Sequence, residues 1–98
     1  MKVYCISYNL KKAGESYKNL YDEIKNCGEW WRYLESTWLV SSELEVKELA
    51  ERLAKHIDPS SDIFLVMEIT DNYEGWMPKS SWLWINERFD EINKRKLS

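Results

Sequence analysis

Apolar positions along the chain follow two spacings, and these predict where the strands and helices lie. Nearly continuous apolar or aromatic runs predict strands over Lys2–Tyr8 and Ile63–Ile69, and strand material over Glu29–Ser42. A tight bend near Glu35–Thr37 divides the last of these segments into two strands. Because Ile63–Ile69 is an uninterrupted apolar run between turn signals, we predict that it is a central strand covered on both faces.

Apolar residues spaced three and four apart predict three helices, each with one stripe that faces a core. The first stripe consists of Tyr17, Leu20, Tyr21 and Ile24. The second consists of Val46, Leu49, Ala50, Leu53 and Ile57. The third consists of Trp82, Ile85, Phe89 and Ile92.

Residues typical of helix boundaries flank these stripes. Ser16 is a suitable N-cap for the first helix, and Gly28 is suited to a left-handed stop after it. Ser42 and Glu45 have the spacing of a capping box and predict the start of the second helix. Pro78 is well placed in the first turn of the third helix.

The predicted order is strand–helix–strand–strand–helix–strand followed by a C-terminal helix, which is typical of the ferredoxin-like α+β fold. This βαββαβ sandwich places two helices on one face of a four-stranded antiparallel sheet. We expect a single domain over residues 1–98, with a core of about residues 1–69 and a C-terminal strand or helix extension over 70–98. The other sheet face must be covered by the C-terminal helix or by a second copy, and an isologous homodimer is the usual solution.

Composition narrows the class of protein. Hydrophobic residues make up 44% of the chain and charged residues 32%, as in ordinary globular proteins. The net charge of −3 argues against a broadly basic surface for nucleic acid, although it permits a local basic patch. No apolar run approaches the roughly 20 residues that span a bilayer, and the N-terminal segment is too short and polar for a signal peptide. We therefore expect a cytoplasmic protein without membrane association.

Metal-ligand patterns are absent from the sequence. Cys5 and Cys27 lie far apart and form no C-x-x-C pair, and His56 is the single histidine, so we predict reduced thiols and no metal site. The alternative is a magnesium ion at a dimer seam, held by the strand-end oxygens of Asn9 and Glu68. Asn9 contributes only a neutral oxygen to such a site.

Aromatic residues are concentrated between Glu29 and Ser42, and two interpretations of them remain open. Their rings can close a sheet face and a dimer interface, where Trp and Tyr are enriched. The interface candidates are Trp31, Tyr33, Trp38 and Trp82. Alternatively, the rings stack on bases while nearby cations contact phosphates. The nucleic-acid candidates are Lys11, Lys12, Arg32 and Trp30. The negative net charge favours packing over base stacking.

Several short motifs give the chain a resemblance to a known family. It resembles the small ferredoxin-like CRISPR-associated adaptation subunit and its relative, virulence-associated protein D, over roughly residues 1–69. The matching features are Tyr8-Asn9-Leu10, Gly28, Glu35-Ser36-Thr37-Trp38, Ile57-Asp58-Pro59 and the Asp62–Ile69 strand. The segment Trp31–Trp38 is also similar to the Trp-x-Tyr-Leu-x-Ser-Thr-Trp core of short uncharacterised bacterial and phage chains labelled "SinR family". No helix-turn-helix pattern accompanies it here.

The resemblance implies a homodimer whose C-terminal segment packs on or adds to the partner. Some relatives are metal-dependent nucleases or RNA-cleaving toxins, in which an aspartate at the end of the first strand serves the metal site. Asn9 stands at that position here, without the charge that holds the cation. In the adaptation complex the small subunit acts mainly as a structural bridge, a role that does not require the aspartate.

Two functions follow from these observations. The first is a homodimeric, non-catalytic binding or structural module that touches nucleic acid or a partner protein and needs no cofactor. The alternative is a magnesium-dependent endoribonuclease of the toxin type. Its catalytic candidates, near the dimer seam, are Asn9, Ser7, Glu35 and Ser36.

Overall fold

Seven elements make up the computed structural model, which describes residues 1–11 and 17–97, with the backbone alone at 96 and 97. In chain order they are β1 (Lys2–Asn9), α1 (Lys18–Asn26), β2 (Glu29–Leu34), β3 (Thr37–Ser42), α2 (Val46–Ala54), β4 (Ile63–Ile69) and α3 (Lys79–Leu97). The predicted N-cap Ser16 and the nucleic-acid candidate Lys12 lie outside the described residues. No helix in the described part of the chain combines the length and hydropathy that crossing a bilayer requires.

The strands form one four-stranded sheet in the order β2-β3-β1-β4, and every neighbouring pair is antiparallel. Cys5 on β1 lies opposite Leu39 on β3 and Met67 on β4. The predicted division of Glu29–Ser42 into two strands is confirmed, with Glu35 and Ser36 forming the turn. The architecture is α+β with three helices and is compatible with a ferredoxin-like fold.

Strand β4 lies at the edge of the sheet, so its predicted central position is wrong. It pairs with β1 alone. Phe64 and Val66 pack against the core beneath α1 and α2, but the residues that alternate with them face outward on the other side. Ile63, Leu65 and Met67 are 65%, 55% and 45% exposed. The apolar run is therefore covered on one face and open on the other.

Helices α1 and α2 cover the first face of the sheet. Leu20 and Ile24 of α1 and Leu49 and Leu53 of α2 are buried, as their helical spacing predicts. They pack against strand residues that all point to this face. Those strand residues are Tyr4, Ile6, Trp38 and Val40. Val46, predicted on the core face of α2, is instead exposed at the first position of the helix.

Helix α3 covers part of the second face. Its stripe of Ile85, Phe89 and Ile92 is buried against strand residues of that face, as the sequence predicts. The strand residues are Val3, Trp31 and Leu39. The buried Arg88 anchors the helix by an ion pair with Glu29 of β2. The C-terminal helix thus packs on its own chain, which is one of the two ways of covering this face that the sequence allowed.

The junction between α1 and β2 differs from the predicted caps. Gly28 lies outside the left-handed φ region; its lack of a side chain matters because a Cβ there would overlap the Ser41 carbonyl. Ser42 caps no helix: its hydroxyl donates to the Cys27 carbonyl oxygen (2.6 Å) and accepts from the Leu44 amide (3.1 Å). Helix α2 begins at Val46, after an N-cap residue that makes no side-chain cap bond. Ser42 therefore joins the end of α1 to β3.

Candidate functional site

An apolar stripe on β4 is the most exposed feature of the sheet. Ile63, Leu65 and Met67 alternate along the strand, so all three side chains project from the face that α3 covers only in part. We call these three residues the β4 stripe. Exposed apolar groups in a contiguous row on an unpaired edge strand are a feature that monomeric proteins usually avoid.

A groove lies on the same face, between the sheet and α3. Its volume is about 440 Å³. Trp31, Leu34 and Leu39 contribute to the sheet side, and the segment 73–77 with Trp82 and Ile85 contributes to the other walls. We call this cavity the aromatic groove.

Aromatic packing organises the wall of the groove. The Tyr73 ring stacks on Trp82 (centroids 6.2 Å apart) and on Phe89 (5.7 Å), and its hydroxyl donates to the Asn86 side-chain oxygen at 2.7 Å. Burial raises the pKa of the Tyr73 phenol above its usual value of 10.0 and so favours the protonated hydroxyl that donates this hydrogen bond. These contacts tie the chain between β4 and α3 to the helix.

Trp76 stands at the rim of the groove with its side chain completely exposed. Sequence analysis did not single out Trp76. Its position between Gly75 and Met77 in a polar loop is the feature of the sequence that could have indicated an exposed ring.

Of the predicted interface residues, Tyr33 is exposed and Trp82 half-buried, so both can contact a partner.

Trp31 and Trp38 occupy the chain's own cores instead. Trp31 is buried beneath α3, and Trp38 is buried beneath α1, where its indole nitrogen donates to the Tyr8 hydroxyl at 2.9 Å. Because adjacent β-strand residues alternate between faces, two rings of one aromatic cluster reach opposite cores. Burial in the chain's own cores leaves these two side chains little surface for a second chain, and their interface assignment stays a prediction.

All four catalytic candidates lie at one end of the sheet. The hydroxyls of Ser7 and Thr37 are 3.4 Å apart, and the Tyr8 amide donates to the carbonyl oxygen of Ser36 in the adjoining turn (3.1 Å). Glu35, in the same turn, is exposed. The structure therefore places Ser7, Asn9, Glu35 and Ser36 at the sheet end where β1 and β2 finish and β3 begins.

Asn9 and Glu68 do not form one cation site. Asn9 is exposed and pairs with Ile63 at the start of β4, whereas Glu68 pairs with Tyr4. Five strand positions separate these pairs, a distance of about 17 Å at the usual rise per residue. Among residues 1–11 and 17–97 there is no group of three or more His, Cys, Asp or Glu side chains that could hold a metal ion.

The described nucleic-acid candidates lie in different settings. The Arg32 guanidinium stacks over Tyr21 (4.5 Å) and Trp38 (4.9 Å), and it donates to the Glu35 carbonyl oxygen at 2.9 Å. Trp30 is partly exposed, with the Lys25 ammonium 4.9 Å from its ring centre. Arg32 is thus engaged within the chain, and Trp30 with Lys25 forms the more open aromatic and cationic pair.

Lys11 projects from the end of β1, where its side chain is exposed and its backbone amide donates to Asp62 (2.9 Å).

The two cysteines are free thiols. Burial raises the pKa of Cys5, which lines the groove, and of Cys27, so both thiols are protonated at neutral pH. Neither has the character of an activated nucleophile.

Comparison with known proteins bears on the fold of the chain. No protein-family model matches the chain, and no curated protein matches it. The chain is similar to the crystal structure of a hypothetical protein from Thermus thermophilus, with a TM-score of 0.61 and 18% sequence identity. The similarity covers 79% of this chain and 92% of the Thermus chain. At this identity the likeness shows the fold alone.

Proposed function

We propose that this chain is a ferredoxin-like, non-catalytic binding module that acts as a homodimer. The observation that carries the proposal is the β4 stripe, a row of exposed apolar side chains on a sheet face that α3 covers only in part. The resemblance to the CRISPR-associated adaptation subunit and the SinR-labelled chains supports the same interpretation, because a bridging subunit of that kind acts as a dimer. Dimerisation would remove the stripe from water.

The surface area of the chain supports a missing partner. The accessible surface is 6622 Å², whereas a compact monomer of 11.8 kDa is expected to expose roughly 5,900 Å². The chain thus exposes more surface than a compact monomer of its mass, which supports a face left for a partner to cover.

Light scattering of two matched leucine variants tests the dimer. Leu65 in the β4 stripe is 55% exposed, and Leu83 on the outer side of α3 is 54% exposed. We expect the native chain to be a dimer at tens of micromolar and Leu65→Lys to be a folded monomer, because a charge in the interface must be desolvated. Leu83→Lys should remain a dimer.

A native chain that scatters as a monomer at this concentration would contradict the proposal. Equal dimerisation of all three proteins would show that the stripe is not the interface. Circular dichroism of each variant establishes that loss of the dimer is not loss of the fold.

The second candidate function is a magnesium-dependent nuclease, favoured by the shared location of all four catalytic candidates at one sheet end: Ser7, Asn9, Glu35 and Ser36. The neutral Asn9 weighs against it, since carboxylates are the usual protein ligands of magnesium. We therefore expect no cleavage of mixed RNA and DNA in the presence of magnesium or manganese. Cleavage that requires metal and disappears in Asn9→Ala would replace the non-catalytic proposal with the enzymatic one.

Nucleic acid is also a candidate ligand of the non-catalytic module. Trp30 beneath Lys25 offers a ring and a cation on the outer edge of the sheet, a combination that suits single-stranded bases. A gel-shift assay with the same RNA and DNA preparations tests whether the chain binds nucleic acid.

A further inference from the structure

A cavity and an exposed aromatic ring lie beside each other on the open sheet face. The aromatic groove is lined by apolar and aromatic side chains, and Trp76 stands at its rim without burial of its own. Tryptophan is a highly buried residue on average, so complete exposure of its side chain calls for an explanation. Tryptophan is also among the residues that most often dominate binding energy at interfaces.

We infer that the aromatic groove of each chain receives the Trp76 side chain of a second copy, so that two copies exchange Trp76 across a two-fold axis. This inference rests on the proposed homodimer and names the contact that forms it. A two-fold interface uses the same patch on both chains, and such a patch must be self-complementary. A groove with an adjacent projecting ring meets that requirement.

The size and chemistry of the groove suit an indole ring. Its volume of about 440 Å³ lies in the usual range of roughly 300–1,000 Å³ for ligand pockets. The rings of Trp31, Tyr73 and Trp82 line it, and aromatic rings favour offset-stacked or edge-on contacts with one another. Glu74 is the one acidic or basic residue among the described residues that line the groove, so an apolar ring can enter without desolvating a cluster of charged groups.

A second copy fits this face because one patch carries both halves of the contact, the exposed Trp76 ring and the groove beside it. The β4 stripe also lies on the same face as the groove, since Cys5 of the groove pairs directly with Met67 of the stripe. One interface can therefore cover both features.

Removal of the ring is the first test. Trp76 is fully exposed in the single chain, so Trp76→Ala should leave the stability of the monomer unchanged. We expect it to weaken dimerisation at least about thirtyfold in sedimentation or dilution experiments, as for a hot-spot tryptophan. Trp76→Phe keeps an aromatic ring and should retain most of the affinity.

A mixing experiment distinguishes exchange between copies from a merely structural role. Leu34→Asp places a charge at the groove, where Leu34 is exposed in the single chain. Trp76→Ala and Leu34→Asp should each be monomeric alone. Their mixture should form a heterodimer, because the intact Trp76 of the second variant enters the intact groove of the first. Failure of the mixture to dimerise would overturn the exchange.

Alkylation of Cys5 reports directly on the groove, with the buried Cys27 as internal reference. Cys5 should react more slowly in the native dimer than in Trp76→Ala at the same concentration. Protection of Cys5 that persists in dilute monomer would mean that the chain's own segment fills the groove and would overturn the inference. A native-like dimer of Trp76→Ala would overturn the exchange alone, whereas a monomeric native chain would remove the proposed function as well.

Discussion

Single residues decide how closely the elements of this protein approach one another, and Gly28 shows this most directly. It connects α1 to β2 where the chain passes over the end of β3. A Cβ at Gly28 would overlap the carbonyl oxygen of Ser41 and lie 2.9 Å from its carbonyl carbon. The contact is with backbone on a paired central strand, which cannot move aside without breaking the sheet.

We therefore predict that Gly28→Ala lowers the free energy of unfolding by on the order of 3 kcal/mol, the upper range for overpacking. Gly75→Ala is the matched control, since a Cβ there meets only a Trp82 ring carbon at 3.8 Å. Its effect should stay within about 0.5 kcal/mol. Urea unfolding of both variants measures the difference, and equal effects would show that the close approach is not the reason for the glycine.

At the scale of elements, Asp62 joins two loops at the sheet end where the last residue of β1 pairs with the first residue of β4. Its carboxylate accepts bonds from the Lys11 amide and the Tyr17 hydroxyl, both at 2.9 Å, and from the Asp58 amide at the same distance. These donors belong to the chain between β1 and α1 and to the chain between α2 and β4. The bond from the Asp58 amide is the largest influence that lowers the Asp62 pKa below its usual value of 3.8.

A depressed carboxyl pKa fixes the direction of the pH dependence. The stabilisation that the ionised Asp62 carboxylate provides is fully present above the unfolded-state pKa of this group. It is lost as pH falls through the folded-state pKa. We predict that Asp62→Asn lowers the melting temperature at neutral pH and flattens its decline below about pH 4. Asp71→Asn, at an exposed position after β4, is the control. Parallel melting curves for native chain and Asp62→Asn across this acid range would contradict the assignment.

At the scale of the whole molecule, the shape is flat and incompletely closed. The principal extents are 44, 29 and 19 Å, and the radius of gyration of 14.1 Å exceeds the roughly 12.6 Å expected for a compact chain of this length. One sheet face is covered by two helices and the other by part of one helix. Because each chain carries a net charge of −3, association must come from apolar contact rather than from attraction between net charges.

The sequence by itself determined most of the elements and the cores they face. Local spacing of apolar residues determines the stripes on all three helices and the strand pair on either side of Glu35 and Ser36. This spacing is present in the sequence before any long-range contact forms. Residues such as Leu20, Leu53 and Phe89 are buried where the spacing predicts.

The tertiary structure decided which apolar residues remain exposed. Ile63–Ile69 has the composition of a central strand, but its position at an edge depends on which strands pair with it. Trp31 and Trp38 belong to one aromatic cluster in sequence, yet they enter opposite cores because strand residues alternate between faces. The exposure of Trp76 beside a groove depends on where α3 docks, and the local sequence holds no information on that contact.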